Sequence, residues 1–354
     1  MPSSSITPQP GTPLSMPALR AMCMELPPAS TQARDTIAQR EAELTKPPAS
    51  LGQLEDMTRW LGGWQHRTSP RLEHVHVLIF AGNHGVMAHR VSPWPVEVTA
   101  QMVRNFEHGG AAINQIARVA QAELAVIPIN NLAPTADFTQ APAMTEQEFL
   151  AAVQVGFNAV PPLCDLLCLG EMGIGNTTAA SALCAALTRQ NGADWAGQGT
   201  GLDNAGTAHK AAVIDTALTH HAAHMNDPLE VARRLGGYEL AATLGATLAA
   251  RLRHIPVVLD GFVCTAAVAP LAQLHPNALD HTALSHCPTD TGHTARLAQH
   301  LGMHPILRGL GLRLGEGSGA ALAIPILRAA IACHNGMATF AQAAVSEKNA
   351  THTA

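Results

Sequence analysis

The chain has 354 residues, of which 47% are hydrophobic and 13% are charged, and this composition excludes a mainly disordered protein. Its length allows one large domain with a smaller satellite. The 21 lysines and arginines and the 26 aspartates and glutamates give a formal net charge of −5, without a basic run. Small molecules rather than nucleic acid are therefore the expected partners. No apolar run is long enough to span a bilayer, so a soluble protein is expected.

The N-terminus and the cysteines indicate the compartment. Residues 1–20 are rich in Ser and Pro and lack the charged and apolar regions of a secretory signal, so residues 1–25 are expected to form a flexible tail. The seven cysteines include no CxxC pair, which favours buried thiols over a disulfide framework. Both observations fit a cytoplasmic location.

Helical patterns occur near both ends of the chain. Residues 31–46 contain helix formers and stop at a Pro-Pro pair, and residues 50–64 repeat leucines at helical spacing after a predicted capping box of Ser50 and Gln53. An Ala-rich helix is predicted at 319–335. These helices lie outside the strand–helix alternation in the middle of the chain and could pack as a small helical satellite.

Four apolar runs that end in polar or glycine-rich turns predict buried strands. They begin the segments 75–86, 122–130, 163–178 and 254–267, and helix-length Ala/Leu segments separate them. Strands that alternate with helices predict a parallel α/β sheet covered on both faces. In such sheets ligands bind at the carboxyl ends of the strands, where these turns lie.

The segment GEMGIGNTTAASAL, residues 170–183, carries the strongest chemical signal. An apolar strand leads into Gly173 and Gly175, and Asn176 and Thr177 then begin an Ala-rich helix. Backbone N–H groups and hydroxyls that converge at a helix N-terminus favour a phosphate. Neither a Walker lysine nor a full GxGxxG motif is present, so a turn that only closes a strand–helix junction is the alternative.

Two further segments offer ligand-binding groups. The glycine-rich segment 197–214 places Lys210 near a helix start, where its ammonium could bind a phosphate or simply be solvated. Residues 81–102, stiffened by Pro93 and Pro95, could form one wall of a pocket for a flat ring, or only a surface loop before a helix.

The segment LRLGEGSGAAL, residues 312–322, sets Glu316 between Gly315 and Gly317 at a predicted helix start. A carboxylate there is either a first-turn acid that the helix dipole favours, or a group that the glycines leave open to a ligand. The residues alone do not decide between these interpretations.

The 19 histidines raise the question of a metal site. The tightest cluster is His220, His221 and His224. This HHxxH pattern lacks the HExxH arrangement and has no obvious further ligand nearby. We therefore expect no metal and no cofactor.

Seven motifs in one order resemble the nicotinate-nucleotide:dimethylbenzimidazole phosphoribosyltransferase family. The resemblance covers roughly residues 30–335. The motifs are LTKPPASLGQLE (44–55), AGNHGV (81–86), VEVTAQMVRNFEHGGAAIN (96–114), GEMGIGNTTAASAL (170–183), GTGLDNAGTAHK (199–210), LDGFVCTAA (259–267) and LRLGEGSGAALA (312–323).

The resemblance implies an activity and an architecture. The reaction moves the phosphoribosyl group of nicotinate mononucleotide to 5,6-dimethylbenzimidazole, and gives α-ribazole 5′-phosphate and nicotinate during assembly of the cobalamin nucleotide loop. The implied fold is a doubly wound, mainly parallel, Rossmann-like α/β domain, here residues 71–314. A small helical domain is built from both termini, here residues 26–70 and 315–345, and the protein is a homodimer in the cytoplasm.

The resemblance also implies roles for individual residues. Glu316 matches the catalytic glutamate, a general base that takes the N–H proton of the acceptor, and Glu171 is the second acid of the site. The phosphate and substrate contacts fall on Gly173, Ile174, Gly175, Asn176, Thr177, Lys210, Gly315 and Gly317, and the base pocket on Ser92, Gln101 and Met102.

Three departures from the family pattern leave alternatives open. The family commonly has aspartate where this chain has Asn83 and Asn204, and the wording at residues 285–293 differs. An enzyme with the same fold and donor that prefers adenine, a purine analogue or a phenol as acceptor is one alternative. A catalytically silent nucleotide-binding sensor is the other.

Overall fold

The computed structural model describes residues 14–199, 201–287 and 292–346. Six parallel strands form one sheet in the order β2-β1-β3-β4-β5-β6. Their bounds are β1 Val75–Ala81, β2 Glu123–Pro128, β3 Leu166–Met172, β4 Val257–Leu259, β5 Thr282–His286 and β6 Pro305–Leu307.

The helices occupy the segments between and around the strands. Their bounds are α1 Met16–Met24, α2 Thr31–Glu43, α3 Gln53–Gln65, α4 Glu97–Glu107, α5 Ala112–Val119, α6 Glu146–Ala159, α7 Asn176–Thr188, α8 Gly192–Trp195, α9 Asn204–His221, α10 Pro228–Leu235, α11 Tyr238–Leu252, α12 Gly261–Leu274, α13 Gly292–His300, α14 Ser318–Gly336 and α15 Phe340–Ala343. Short 3-10 helices lie at Gly85–His89, Asn130–Leu132 and Ala222–His224.

The sheet order confirms the predicted doubly wound α/β fold. The chain passes from β1 outward to β2, returns to β3 on the other side of β1, and then continues outward through β4, β5 and β6. Every residue of β1 is buried although successive side chains point to opposite faces, so both faces of the sheet are covered. The reversal between β1 and β3 is the topological switch point where doubly wound sheets bind ligands.

Helices α6 and α11 illustrate how closely the covering layers pack. A Cβ atom on Gly156 would lie 1.8 Å from the Ala242 carbonyl oxygen, and one on Gly245 would lie 2.0 Å from the Val153 carbonyl oxygen. Only glycine allows this backbone approach. Helix α11 in turn contacts β1 and β3, so its N-terminal end is held behind the switch point.

The chain divides into two compact units: Met1–Pro27 with His74–Ala323, and Pro28–Glu73 with Ile324–Ala354. The smaller unit has a buried charge network. The Lys46 ammonium lies 2.7 Å from a Glu55 carboxylate oxygen and 3.1 Å from Glu41, which itself lies 2.7 Å from His334 Nδ1. The division falls inside α14, and the domain limits inferred from the sequence remain predictions.

Two local expectations were wrong. Residues 16–24 are not a tail: Ser15 caps α1, and Leu19, Met22 and Cys23 are buried in the main core, while residues 1–13 lie outside the described residues. The Ser50 capping box does not form either, because α3 begins after Gly52 and has no side-chain cap.

Two strands were missed, β5 and β6. Both are short, at five and three residues, and β5 includes Thr, Ser and His, so neither stands out as an apolar run. Among the described residues no helix is long and apolar enough to cross a membrane.

Candidate active site

A cavity of about 480 Å³ opens at the carboxyl ends of β3, β4 and β5, beside the switch point. Its wall consists of the start of α4, the β3–α7 turn, residues 198–199, the β4–α12 turn and the segment before α14. All of these segments belong to the larger unit. The cavity therefore lies where the sheet topology predicts a ligand site.

The β3–α7 turn, Gly173–Thr177, forms one end of the cavity. Gly175 has φ +97° at the start of α7, and a Cβ on Gly173 would lie 2.6 Å from the carbonyl oxygen that follows β1. The Ile174 N–H donates to Thr99 Oγ1 at 3.1 Å, which ties the turn to α4. The N–H groups of Gly175 and Thr177 have no acceptor among the described residues. They lie at a helix N-terminus, where backbone groups bind anions.

Lys210 lies behind this turn and does not line the cavity. Its ammonium is buried, 2.8 Å from Thr177 Oγ1 and 3.4 Å from the Gly197 carbonyl oxygen. Burial lowers the pKa of Lys210 to about 7. Lys210 contacts Thr177 because α9 carries it beneath the turn rather than into the cavity, and its role as a phosphate partner stays a prediction.

Glu171 and Glu316 line the cavity from different segments. Glu171 ends β3, and the Asn176 amide donates to its carboxylate. Burial first, then the charges of Asp260 and Glu239, raise the pKa of Glu171 to about 8. Burial and the charge of Asp260 raise the pKa of Glu316 to about 7. Two carboxyl groups that titrate near neutral pH in one cavity are typical of acid–base sites.

Glu316 has an unusual backbone conformation. Its φ is +62°, between Gly315 at +81° and Gly317 at +78°, so three successive residues are left-handed just before α14. A non-glycine residue in this region costs of order 1 kcal/mol, and such residues are enriched at functional sites. Among the described residues none donates a hydrogen bond to the Glu316 carboxylate, which leaves it open to the cavity.

Not every residue assigned to the site reaches the cavity. Gly315 lines it, but Gly317 is buried and its N–H donates to Asp260 Oδ2 at 2.8 Å. Gln101 is exposed and outside the cavity wall, because Val98 and Met102 take the side of α4 that faces it. Gly317 and Gln101 therefore do not line the cavity, and their assignment as ligand contacts stays a prediction.

The opposite wall is largely apolar. Val98 and Met102 face the cavity together with Ser92, Trp94 and Leu314. Trp94 is 50% exposed and Leu314 is 53% exposed, so both lie at the mouth of the cavity. This surface suits a flat apolar ring.

Two aromatic residues of the wall were not found from the sequence. The Phe262 and His293 rings meet edge to face with centroids 4.4 Å apart. Burial, with Lys210 and Arg296 nearby, lowers the pKa of His293 to about 4, so this imidazole is neutral at neutral pH. His293 follows the segment 288–291, which lies outside the described residues. Phe262 lies within the motif 259–267 and His293 ends the variant segment 285–293, but the sequence assigns neither residue a role in the site.

A buried pair of side chains, His84 and Glu239, lies under the β3–α7 turn. His84 Nε2 is 2.6 Å from Glu239 Oε1, and both side chains are fully buried. A Cβ on Gly173 would lie 3.0 Å from Glu239 Oε1 and 3.4 Å from His84 Nε2. The sequence offered His84 within AGNHGV but did not indicate its partner, which is 155 residues away.

Of the three departures from the family pattern, Asn83 and Asn204 lie outside the cavity wall, whereas segment 285–293 contributes His286 and His293 to it. Asn83 is buried, and its side-chain amide donates to the Leu132 carbonyl oxygen at 2.9 Å. Asn204 is the first residue of α9 and is exposed. No group of three His, Cys, Asp or Glu residues suited to a metal ion occurs in the described parts of the chain.

The fold and the cavity together define an α/β protein with a ligand-sized cavity at the switch point of its sheet, lined by a glycine-rich helix start and by two glutamate carboxyl groups. The chain matches the phosphoribosyltransferase family model DBI_PRT over residues 26–345. It therefore belongs to the phosphoribosyltransferase family and is a transferase, which confirms the resemblance inferred from its motifs.

Individual relatives agree with this assignment. A protein of Mesorhizobium japonicum named nicotinate-nucleotide--dimethylbenzimidazole phosphoribosyltransferase is 57% identical over 334 residues, 94% of this chain and 99% of that protein. A protein of the same name from Novosphingobium aromaticivorans is 52% identical over 94% of this chain and 98% of its own length. The crystal structure of the phosphoribosyltransferase of that name from Thermus thermophilus has a TM-score of 0.82 and 37% identity, and covers 90% of this chain and 100% of its own.

Proposed function

We propose that this protein transfers the phosphoribosyl group of nicotinate mononucleotide to 5,6-dimethylbenzimidazole, and releases α-ribazole 5′-phosphate and nicotinate. One observation carries the proposal: a glycine-rich turn at a helix N-terminus, an open carboxylate and an apolar wall share a single cavity. The names of the relatives at 52% and 57% identity support the same donor and acceptor.

The donor phosphate binds at the β3–α7 turn. The unoccupied N–H groups of Gly175 and Thr177 and the positive end of α7 attract its negative charge. Lys210 donates to Thr177 Oγ1 at 2.8 Å, and so supplies positive charge from behind the turn. The ribose then extends from this end of the cavity toward Glu171 and Glu316.

The acceptor ring binds against Val98, Met102 and Leu314. One ring nitrogen donates its lone pair to C1′ while the bond from C1′ to the pyridinium nitrogen breaks, and those electrons return to the nicotinate ring. Attack from the opposite side inverts C1′ from β to α. Glu316 accepts the proton from the other ring nitrogen, so the acceptor leaves as a neutral substituted ring.

Glu171 serves as the second acid. Its pKa of about 8 keeps it mostly protonated at neutral pH, so it can donate a hydrogen bond to the ribose. As positive charge develops on the ribosyl group, an ionised Glu316 also stabilises it electrostatically.

The test is nicotinate release from nicotinate mononucleotide with 5,6-dimethylbenzimidazole, with the product identified by mass. We expect release by the native protein and a loss of about a hundredfold or more in Glu316→Gln. The matched control is Glu146→Gln, an exposed first-turn helix acid, which should retain native activity.

Other outcomes separate the alternatives. Release only with adenine, a purine analogue or a phenol would keep the donor and replace the acceptor. Tight donor binding without nicotinate release with any acceptor would indicate a sensor. Equal rates in the native protein and Glu316→Gln would reduce Glu316 to a first-turn helix acid.

We also propose that the protein is a homodimer in the cytoplasm. The family resemblance supports the dimer, and the seven cysteines, all free thiols, fit a reducing compartment. Light scattering after size exclusion tests the dimer, with a mass of one 37.0 kDa chain contradicting it.

A further inference from the structure

The left-handed backbone at Glu316 is held by hydrogen bonds to a residue of a distant segment, Asp260. Asp260 follows β4, and its own N–H donates to the Leu169 carbonyl oxygen at 3.1 Å, which fixes it to β3. Although Asp260 precedes α12, its side chain does not cap that helix. It points instead at the first turn of α14.

There the Asp260 carboxylate takes the place of an N-cap. Its Oδ2 accepts from the Gly317 N–H at 2.8 Å, and its Oδ1 accepts from the Ala320 N–H at 3.0 Å. The side chain is 1% exposed, so these bonds are shielded from water. The bond to Gly317 acts on the residue directly after Glu316, and therefore on the backbone that aims the Glu316 carboxylate.

Close contacts also restrict the position of the backbone at residues 317–320. A Cβ on Gly319 would lie 2.8 Å from Asp260 Oδ1 and 2.1 Å from His286 Nδ1. A Cβ on Gly170 would lie 2.4 Å from the Gly317 nitrogen. The backbone of residues 317–320 is thus packed against β3 and against Asp260 with glycines at both contacts.

We propose that Asp260 is a positioning residue for the transfer reaction, which holds the Gly317 and Ala320 amides and so presents the Glu316 carboxylate to the acceptor. This inference rests on the proposed function. Asp260 acts through Glu316 and has no role of its own at the reacting atoms.

The same arrangement couples the charge of Asp260 to the protonation of Glu316. Five titratable or charged groups line the cavity with Glu316: Glu171 from β3, Asp260 after β4, His286 from β5, His293 from α13 and Arg313 of its own segment. With burial, Asp260 is the group that raises the pKa of Glu316 to about 7. A general base works only when deprotonated, so activity is lost as pH falls through this pKa. Removing the charge should move that loss to lower pH.

Asp260→Asn and Asp260→Glu separate the two effects. In Asp260→Asn we expect kcat/KM for the acceptor to fall about tenfold or more, and the acid limb of its pH profile to move down by about half a unit or more. In Asp260→Glu the charge remains and only the reach changes, so kcat should fall while the acid limb stays near its native position. KM for nicotinate mononucleotide should change less than about twofold in Asp260→Glu, since the charge is kept and the β3–α7 turn is untouched. In Asp260→Asn the pKa of Glu171, which the charge of Asp260 also raises, should fall as well.

Asp227→Asn is the matched control, because Asp227 caps α10 away from the cavity: its carboxylate accepts from the Leu229 N–H at 3.1 Å and from Arg20 Nη2 at 2.6 Å. It should leave the acid limb in place. An unshifted acid limb in Asp260→Asn, or native kcat in Asp260→Glu, would overturn the proposal and make Asp260 a purely structural cap. Equal downward shifts in both Asp260 variants would trace the effect to a loosened turn and overturn the electrostatic part.

Two measurements do not need catalysis, so failure of the proposed function stays distinguishable. Carboxyl ¹³C NMR of glutamate-labelled protein, with Glu316→Gln to identify the signal, should show a lower Glu316 pKa in Asp260→Asn. Hydrogen exchange of the peptide 316–321 should be about tenfold faster in that variant than in the native protein. Unchanged exchange would show that Asp260 does not hold the turn.

Discussion

Two turns of this protein share one local pattern and use it in opposite ways. Gly173–Thr177 and Gly315–Ser318 each place glycines directly before a helix at the rim of the same cavity. In the first turn, the N–H groups of Gly175 and Thr177 have no acceptor among the described residues. In the second, Asp260 occupies the N–H groups, and what remains for a ligand is the Glu316 side chain.

A glycine-rich turn before a helix therefore does not by itself define an anion site. A carboxylate already bound at the helix start repels an incoming phosphate, but it holds a neighbouring acid in place. The first turn should therefore govern donor affinity, and the second should govern the rate of the chemical step. Each prediction below tests that division.

The largest effect on the first turn is expected from Gly173→Ala. The new Cβ would lie 2.6 Å from a backbone carbonyl oxygen, so the turn must shift. Overpacking of this kind costs about 1–3 kcal/mol, and KM for nicotinate mononucleotide should rise about twentyfold with a smaller change in kcat. Steady-state kinetics with the donor varied checks this. Unchanged KM with reduced kcat would contradict the division between the turns.

Lys210→Met should raise KM for the donor about tenfold, because the positive charge that Lys210 supplies from behind the turn, through its bond to Thr177 Oγ1, is lost. The free protein has a Lys210 pKa of about 7, and a bound phosphate dianion favours the protonated amine. Native affinity should accordingly be highest below pH 7 and should fall as pH rises through that pKa. Calorimetric binding between pH 6 and 9 measures this, and Lys210→Met should show no such fall.

Glu239→Gln should weaken the support beneath the first turn. It replaces a carboxylate that lies 2.6 Å from His84 with a neutral amide of the same shape. We expect a loss of about 1–3 kcal/mol in the free energy of unfolding and a severalfold rise in donor KM. Denaturant unfolding and kinetics on the same preparation test both. A loss of stability with native KM would separate the pair from the turn.

The smallest effects concern the acceptor wall. Met102→Ala should raise the acceptor KM severalfold, because it removes apolar contact area at about 25 cal/mol per Å². Gln101→Ala, on the exposed side of the same helix, is its matched control and should leave KM within about twofold of native. An effect of Gln101→Ala as large as that of Met102→Ala would mean that the acceptor binds elsewhere.

The α/β class, four of the strands and the position of the glycine-rich β3–α7 turn follow from the sequence alone. Those signals are local: an apolar run, a glycine turn and a helix start lie within about fifteen residues of one another. The ordered motifs added the family, because seven matches in one order over most of the chain do not depend on how the chain packs.

The contacts between distant side chains and backbone groups can be read only from the tertiary structure. Asp260 and Gly317 are 57 residues apart, and Lys210 and Thr177 are 33 apart, so no window of sequence contains either contact. The direction of Gln101 on α4 and the burial of α1 depend on what each helix packs against. Sequence spacing determines the pattern of one element, whereas long-range packing determines which of its atoms reach the cavity.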